Sequence, residues 1–172
     1  MDVKMIWQEL REHIPFTFLA TLIAIVLGVF SYNLIGVERV VSVFYILHPA
    51  HIFVSAIASA AVFYKYKENI FGGIFIGVLA AIIIGSLSDV ILPYLGGVLF
   101  QLKTSFHLEL IEKPLIILGV AVGGAVLGTA TKLTQLPHFF HVLFSIFASL
   151  FYLLVFSIPV NSFMIIAIFM II

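Results

Sequence analysis

His48-Pro-Ala-His51-Ile-Phe-Val-Ser55-Ala-Ile-Ala58-Ser59 returns 90 residues later as His138-Phe-Phe-His141-Val-Leu-Phe-Ser145-Ile-Phe-Ala148-Ser149. The shared pattern is HxxHxxxSxxAS, and it takes in four of the six histidines. Positions i, i+3 and i+7 of an α-helix lie on one face. Each copy therefore presents one polar stripe, His48, His51, Ser55 and Ser59 in the first and His138, His141, Ser145 and Ser149 in the second. A shorter match lies upstream of each copy. Glu9-Leu10-Arg11-Glu12 is followed closely by Pro15, and Glu109-Leu110-Ile111-Glu112 by Pro114. This upstream offset is 100 residues against 90, so two halves, 1–100 and 101–172 of a single domain, would differ by an insertion of about ten residues.

The surroundings of these copies set the fold class. Of 172 residues 63% are apolar and 9% charged, with a mean hydropathy of +1.29. A soluble domain carries about 25% charged residues because its surface faces water; this surface is suited to lipid. Net charge is zero, which gives no sign of a nucleic-acid partner. There is no cysteine, so disulfides, thiolate metal sites and thiol nucleophiles are excluded.

Charged and turn residues cut the chain into apolar segments at 14–35, 40–64, 70–100, 110–129, 137–157 and 160–172. The expected fold is an all-α, polytopic membrane helical bundle of about six transmembrane segments. The start from Asp2 to His13 is charged, with His13 at the interface, and no small-residue cleavage site follows the first apolar segment. That segment reads as a retained span and not as a signal peptide. Segment 70–100 exceeds the ~20 residues that a crossing needs, and Ser86, Ser88, Asp89 and Pro93 predict a break near Ser86. Segment 160–172 would cover only about 20 Å of a ~30 Å hydrocarbon core. Three spans is an odd number, so consecutive halves would insert oppositely, as a 3+3 inverted-topology repeat. On that topology Lys4, Arg11, Lys65, Lys67 and Lys132 fall on the N-terminal side, and Arg39, Lys103 and Lys113 on the other. The excess predicts a cytoplasmic N terminus.

Ionisable side chains inside a membrane are costly and mark functional sites by default. If the halves face each other, His48, His51, His138 and His141 supply four imidazoles, which suit Zn²⁺ and its transition-metal neighbours. Asp89 is the one acid away from the ends of a span, and three roles fit it: a metal ligand or proton carrier, a cap for a short helix 90–100, or a solvated group at the membrane edge. Pro49 and Pro137 predict that helices begin near His48 and near His138, since proline is tolerated in a first turn and disrupts an interior. Ser55 and Ser145 would form a secondary polar site, and His107, Glu109 and Glu112 another. The two glutamates share a face in a first helical turn, where the macrodipole favours acids, either as a solvated helix start or as a cation-attracting vestibule. Gly119, Gly123, Gly124 and Gly128 permit close helix approach, for internal packing or for a dimer face.

These residues predict a small transporter or permease with an intramembrane divalent-metal site, coupled to protons. One alternative is a membrane-embedded metal-dependent hydrolase acting on a lipid-like substrate, with Zn²⁺ activating water. Another is haem b ligated from both stripes, which the doubling of histidines within each turn disfavours. The last is a structural or assembly subunit, in which the stripes bind helices together within a homo-oligomer or to a membrane partner.

Overall fold

The computed structural model describes residues 3–34, 37–102 and 104–156, and the regular elements among them are helices. These are α1 (Val3–Leu34), α2 (Val37–Lys67), α3 (Ile70–Ser86), α4 (Leu92–Leu99), α5 (Glu109–Glu112), α6 (Pro114–Thr131) and α7 (Gln135–Phe156). Five stretches are long and apolar enough to cross a bilayer: Trp7–Gly28, Ser42–Lys67, Ile70–Leu99, Pro114–Thr131 and Gln135–Val155. The shortest has 18 residues, about 27 Å of helix at 1.5 Å per residue. Large apolar side chains such as Phe18, Phe71, Phe75 and Leu115 point outward, which is where lipid takes the place of water. The protein is an all-α helical membrane bundle. Segment 160–172, the expected sixth span, lies outside the described residues.

Connectivity fixes which ends share a side. The start of α1, the α2–α3 turn and the α6–α7 turn lie together, here termed the N-side, and the connection 100–113 lies on the opposite side. The α2–α3 turn is only Glu68 and Asn69. The Asn69 side chain caps α3 by accepting from the Gly72 N–H at 2.9 Å, which forces α2 and α3 to be antiparallel neighbours. α2 is the central helix and packs against α3, α6 and α7, while α1 packs against α7 and α3 against α6.

Small residues make that packing close. One core layer joins Ile52, Ala56 and Ala60 of α2 to Ala81 of α3 and Ile117, Ala121 and Ala125 of α6. Gly124 and Gly128 lie on this seam, and a Cβ at either would run into the carbonyl oxygen of Phe53 or of Ile57. Gly119 and Gly123 are exposed and meet almost nothing. The expected glycine stripe is therefore divided, half packing internally and half facing lipid. A second layer, Phe44, Val90, Phe151 and Tyr152, fills the bundle nearer the side opposite the N-side.

Two expected helix breaks are absent. α2 runs unbroken through Pro49, so residues 40–47 are not a separate piece and His48 does not begin a helix. A proline removes one backbone bond and its helix can persist where packing holds both flanks; Phe44 and Ile52 are both fully buried here. Pro137, by contrast, does lie in the first turn of α7. The chain also does not break at Ser86. It widens into a π-helical turn, Leu87–Ile91, and continues as α4. The π register loosens the i→i−4 ladder, and the Ser149 hydroxyl donates to the Ser88 carbonyl oxygen at 2.9 Å.

Candidate functional site

The π turn delivers Asp89 into the centre of the bundle. Its carboxyl group is fully buried, which rules out the solvated edge position, and it lies inside the π turn, not at a helix N terminus, which rules out the cap. The Nδ1–H groups of His48 and His51 both donate to Asp89 Oδ2, at 2.9 Å and 2.6 Å. The hydroxyls of Ser88 and Ser145 donate to Oδ1, at 2.6 Å and 3.1 Å. Donors thus occupy both oxygens, as suits a carboxylate that only accepts. The one-turn spacing of His48 and His51 on α2 aims both rings at the same oxygen, and the wide π turn lets Asp89 reach between them.

The network continues past Asp89 by a tautomer argument. His51 spends its Nδ1–H on Asp89, so its Nε2 offers a lone pair, and His141 Nδ1–H donates to that atom at 2.7 Å. His51 and His141 are the equivalent positions of the two HxxHxxxSxxAS copies. His138 stands apart from this cluster. Its Nε2–H donates to the Thr17 hydroxyl oxygen at 2.9 Å, because the Thr17 hydroxyl hydrogen is already given to the His13 carbonyl. Its ring stands edge-on to His13 with centroids 4.8 Å apart, and 5.8 Å from the His141 ring. No known protein family, curated protein or solved structure matches this chain.

Two cavities reach the N-side end of the network. One, of about 760 Å³ and mostly apolar, is lined by Ser55, Ser59, Tyr66, Lys67, His138 and His141 among others. The other, of about 650 Å³, lies along α1 and is lined by Glu9, His13, Thr17 and His138. Ser55 therefore faces a cavity, whereas its counterpart Ser145 binds Asp89. Beyond His13, Glu9 accepts hydrogen bonds from Lys65 and Tyr66, and lies 3.7 Å from His13 Nδ1.

At the opposite end the expected His107, Glu109 and Glu112 cluster divides. His107 and Glu112 pair at 2.9 Å, each more than a third exposed. Glu109 is 1% exposed, and burial pushes its carboxyl above the ordinary glutamate range. The i, i+3 spacing would align the two acids on a long helix, but α5 is a single turn that ends at Lys113, so the second acid is turned outward. Tyr152 anchors the preceding loop, accepting from the His107 N–H and donating to the Ser105 carbonyl, both at 3.2 Å.

Among the described residues no three His, Asp or Glu side chains are grouped to hold a metal ion. The imidazoles direct their nitrogens at the carboxylate and at one another, not at a common open centre. Sequence reasoning assembled His48, His51, His141, Asp89 and Ser145. It gave no role to Thr17 or Ser88, which carry no signal beyond being polar within an apolar segment.

Proposed function

We propose that this protein is a proton-translocating membrane transporter in which Asp89 holds the proton. The observation that carries the reading is the buried chain His48–Asp89–His51–His141, linked by hydrogen bonds of 2.6–2.9 Å. Buried chains of His and Asp within membrane spans are the material of proton relays. The tautomers define the steps. A proton arriving at His141 Nε2 lets His141 Nδ1–H pass to His51 Nε2, and His51 Nδ1–H pass to Asp89 Oδ2. A proton arriving at His48 Nε2 likewise pushes His48 Nδ1–H onto the same oxygen. Asp89 is thus reached by two imidazoles, one leading towards each side of the membrane. Release reverses the loading steps once the departing histidine has exchanged its tautomer.

The cavities that expose His138 and His141 make this conformation open to the N-side. The aromatic layer of Phe44, Phe151 and Tyr152 closes the other side. An inverted repeat, which is part of this proposal, would give such a carrier two mirrored accesses. Exchanging the first span with the fourth and the second with the fifth turns the α1–α7 contact into the α6–α2 contact, and both are made. The same exchange maps His51 onto His141, and the hydrogen bond between these two rings is compatible with it. Lys65, Lys67 and Lys132 on the N-side favour a cytoplasmic N terminus. Transition-metal transport and metal-dependent hydrolysis have no group of three ligands to build on among the described residues.

Proton uptake into proteoliposomes, driven by an imposed membrane potential and read with a trapped pH dye, tests the reading. Asp89→Asn and His51→Ala should each lower flux about a hundredfold, the scale of losing a positioned proton-transfer group. His51→Ala combined with His141→Ala should cost little more than either alone, because both act in one chain. If Asp89→Asn folds and moves protons at the wild-type rate, the proposal fails.

A further inference from the structure

Three of the buried polar atoms that have no hydrogen-bond partner among the described residues are Glu109 Oε1, Glu109 Oε2 and His48 Nε2, and both side chains belong to residues that border the same aromatic layer, His48 through Phe44 and Glu109 through its neighbour Leu108. Native proteins rarely leave such atoms orphaned. Where protein groups do not satisfy them, ordered water does, making about three hydrogen bonds. We infer that the space between the Glu109 carboxyl and His48 Nε2 is a buried water-binding site, and that Glu109 is the proton-exchange carboxyl for the side opposite the N-side. The proton part rests on the proposed function; the water site rests on the orphaned atoms.

The surroundings enclose the site. Phe44 stacks on His48 with centroids 5.7 Å apart and planes within 9°, and Tyr152 meets Phe44 edge-on at 5.5 Å. Leu108, the neighbour of Glu109, packs against this aromatic layer. The charged and titratable groups that act on Glu109 are His48, Lys113, Glu112 and Asp89. Of these, Glu112 is exposed and paired with His107, which places the aqueous surface one helical turn away. His48 Nε2 is the free nitrogen of the ring whose Nδ1–H binds Asp89, so a proton received there moves the other onto Asp89.

The sequence match adds a second argument. Glu9 and Glu109 occupy the same position of the two ELxE copies, and they lie at the two ends of the relay. Glu9 also keeps one buried oxygen, Oε2, without a hydrogen bond, while its other oxygen is held by Lys65 and Tyr66. Among the described residues Glu109 has no such latch. The transfer balances as follows. The Glu109 carboxylic acid gives its proton to the water, and the water gives one to His48 Nε2. His48 then passes Nδ1–H to Asp89 Oδ2, and Glu109 remains as a carboxylate to be reprotonated from the surface.

Infrared difference spectroscopy of the whole purified protein across a pH titration tests the site without requiring transport. Wild type should show a protonated carboxyl band persisting above the pH at which exposed glutamates ionise, with a bound-water band that shifts in H2-18O. Glu109→Gln should remove the carboxyl band, and Asp89→Asn should retain it. In proteoliposomes Glu109→Gln should lower flux about tenfold or more, Glu109→Asp should restore part of it, and Glu112→Gln should change it less than about twofold. A carboxyl band that survives Glu109→Gln overturns the inference. So does wild-type flux in Glu109→Gln while Asp89→Asn is inactive, an outcome that leaves the relay standing. If wild type moves no protons at all, the proposed function fails, and the two infrared bands alone decide the water site.

Discussion

Ionising Glu109 costs the folded protein more than it costs the unfolded chain, because burial strips water from the carboxylate. The sign of the pH dependence follows. A carboxyl whose folded-state value is raised contributes stability at acid pH, and that stability is lost as pH rises through the folded-state value. Glu109→Gln removes the ionisation and keeps the shape. Its melting temperature in detergent should therefore match wild type in acid and exceed it increasingly as pH rises, and a constant difference across the range would contradict the assignment. Glu109 lies in the connection between the spans Ile70–Leu99 and Pro114–Thr131, outside both. At this scale the sequence shows which side chains have chemistry to offer, because His and Asp are conspicuous in an apolar segment. It does not show which atoms meet. That His138 leaves the cluster for Thr17, or that Glu109 turns inward while Glu112 turns outward, depends on helix rotations that no residue type announces.

The helices show what a period can and cannot specify. Four of the apolar segments are legible to within about four residues of their ends, whereas the first, expected at 14–35, lies about seven residues earlier, at Trp7–Gly28, because α1 carries its charged start as helix. The responses to Pro49 and to Ser86–Asp89 are not legible, because tertiary packing decides whether a perturbed helix breaks, bends or widens. Glycine spacing is likewise ambiguous until a neighbour is known. On α6, Gly124 and Gly128 face the backbone of α2, whereas Gly119 and Gly123 face outward. Gly124→Ala and Gly128→Ala should each destabilise by about 1–3 kcal/mol, the range for overpacking a close contact. Gly119→Ala should be neutral or slightly stabilising by helix propensity, about 1 kcal/mol at most. Melting temperatures of the three variants, each with Gly→Ala at one position, would separate the seam from the outward face. Equal losses at Gly119 and Gly124 would show instead that the outward face is itself packed, against a second copy or a partner.

For the whole molecule, the arrangement of spans ties the relay to the bilayer, and the absence of cysteine makes that arrangement directly measurable. If α1 to α7 thread as described, Asn69 and Leu133 lie on the N-side, and Gln101 and Phe106 lie opposite. Single cysteines at these four exposed positions, in oriented vesicles, should divide into two pairs towards a membrane-impermeant maleimide. Asn69 and Leu133 should label together from one face, and Gln101 and Phe106 from the other. Labelling of Asn69 and Gln101 from the same face would break the threading, and the two-sided access to Asp89 with it. Which face is cytoplasmic follows from the same experiment, and the lysines at 65, 67 and 132 predict that it is the Asn69 face. Access should also differ with depth. A cysteine at Ser59, which lines the N-side cavity, should react with a small water-borne reagent from the Asn69 face. A cysteine at Phe44, within the aromatic layer, should resist it from both. A carrier that alternates would reverse this contrast when the gradient is reversed, whereas a fixed channel would leave it unchanged.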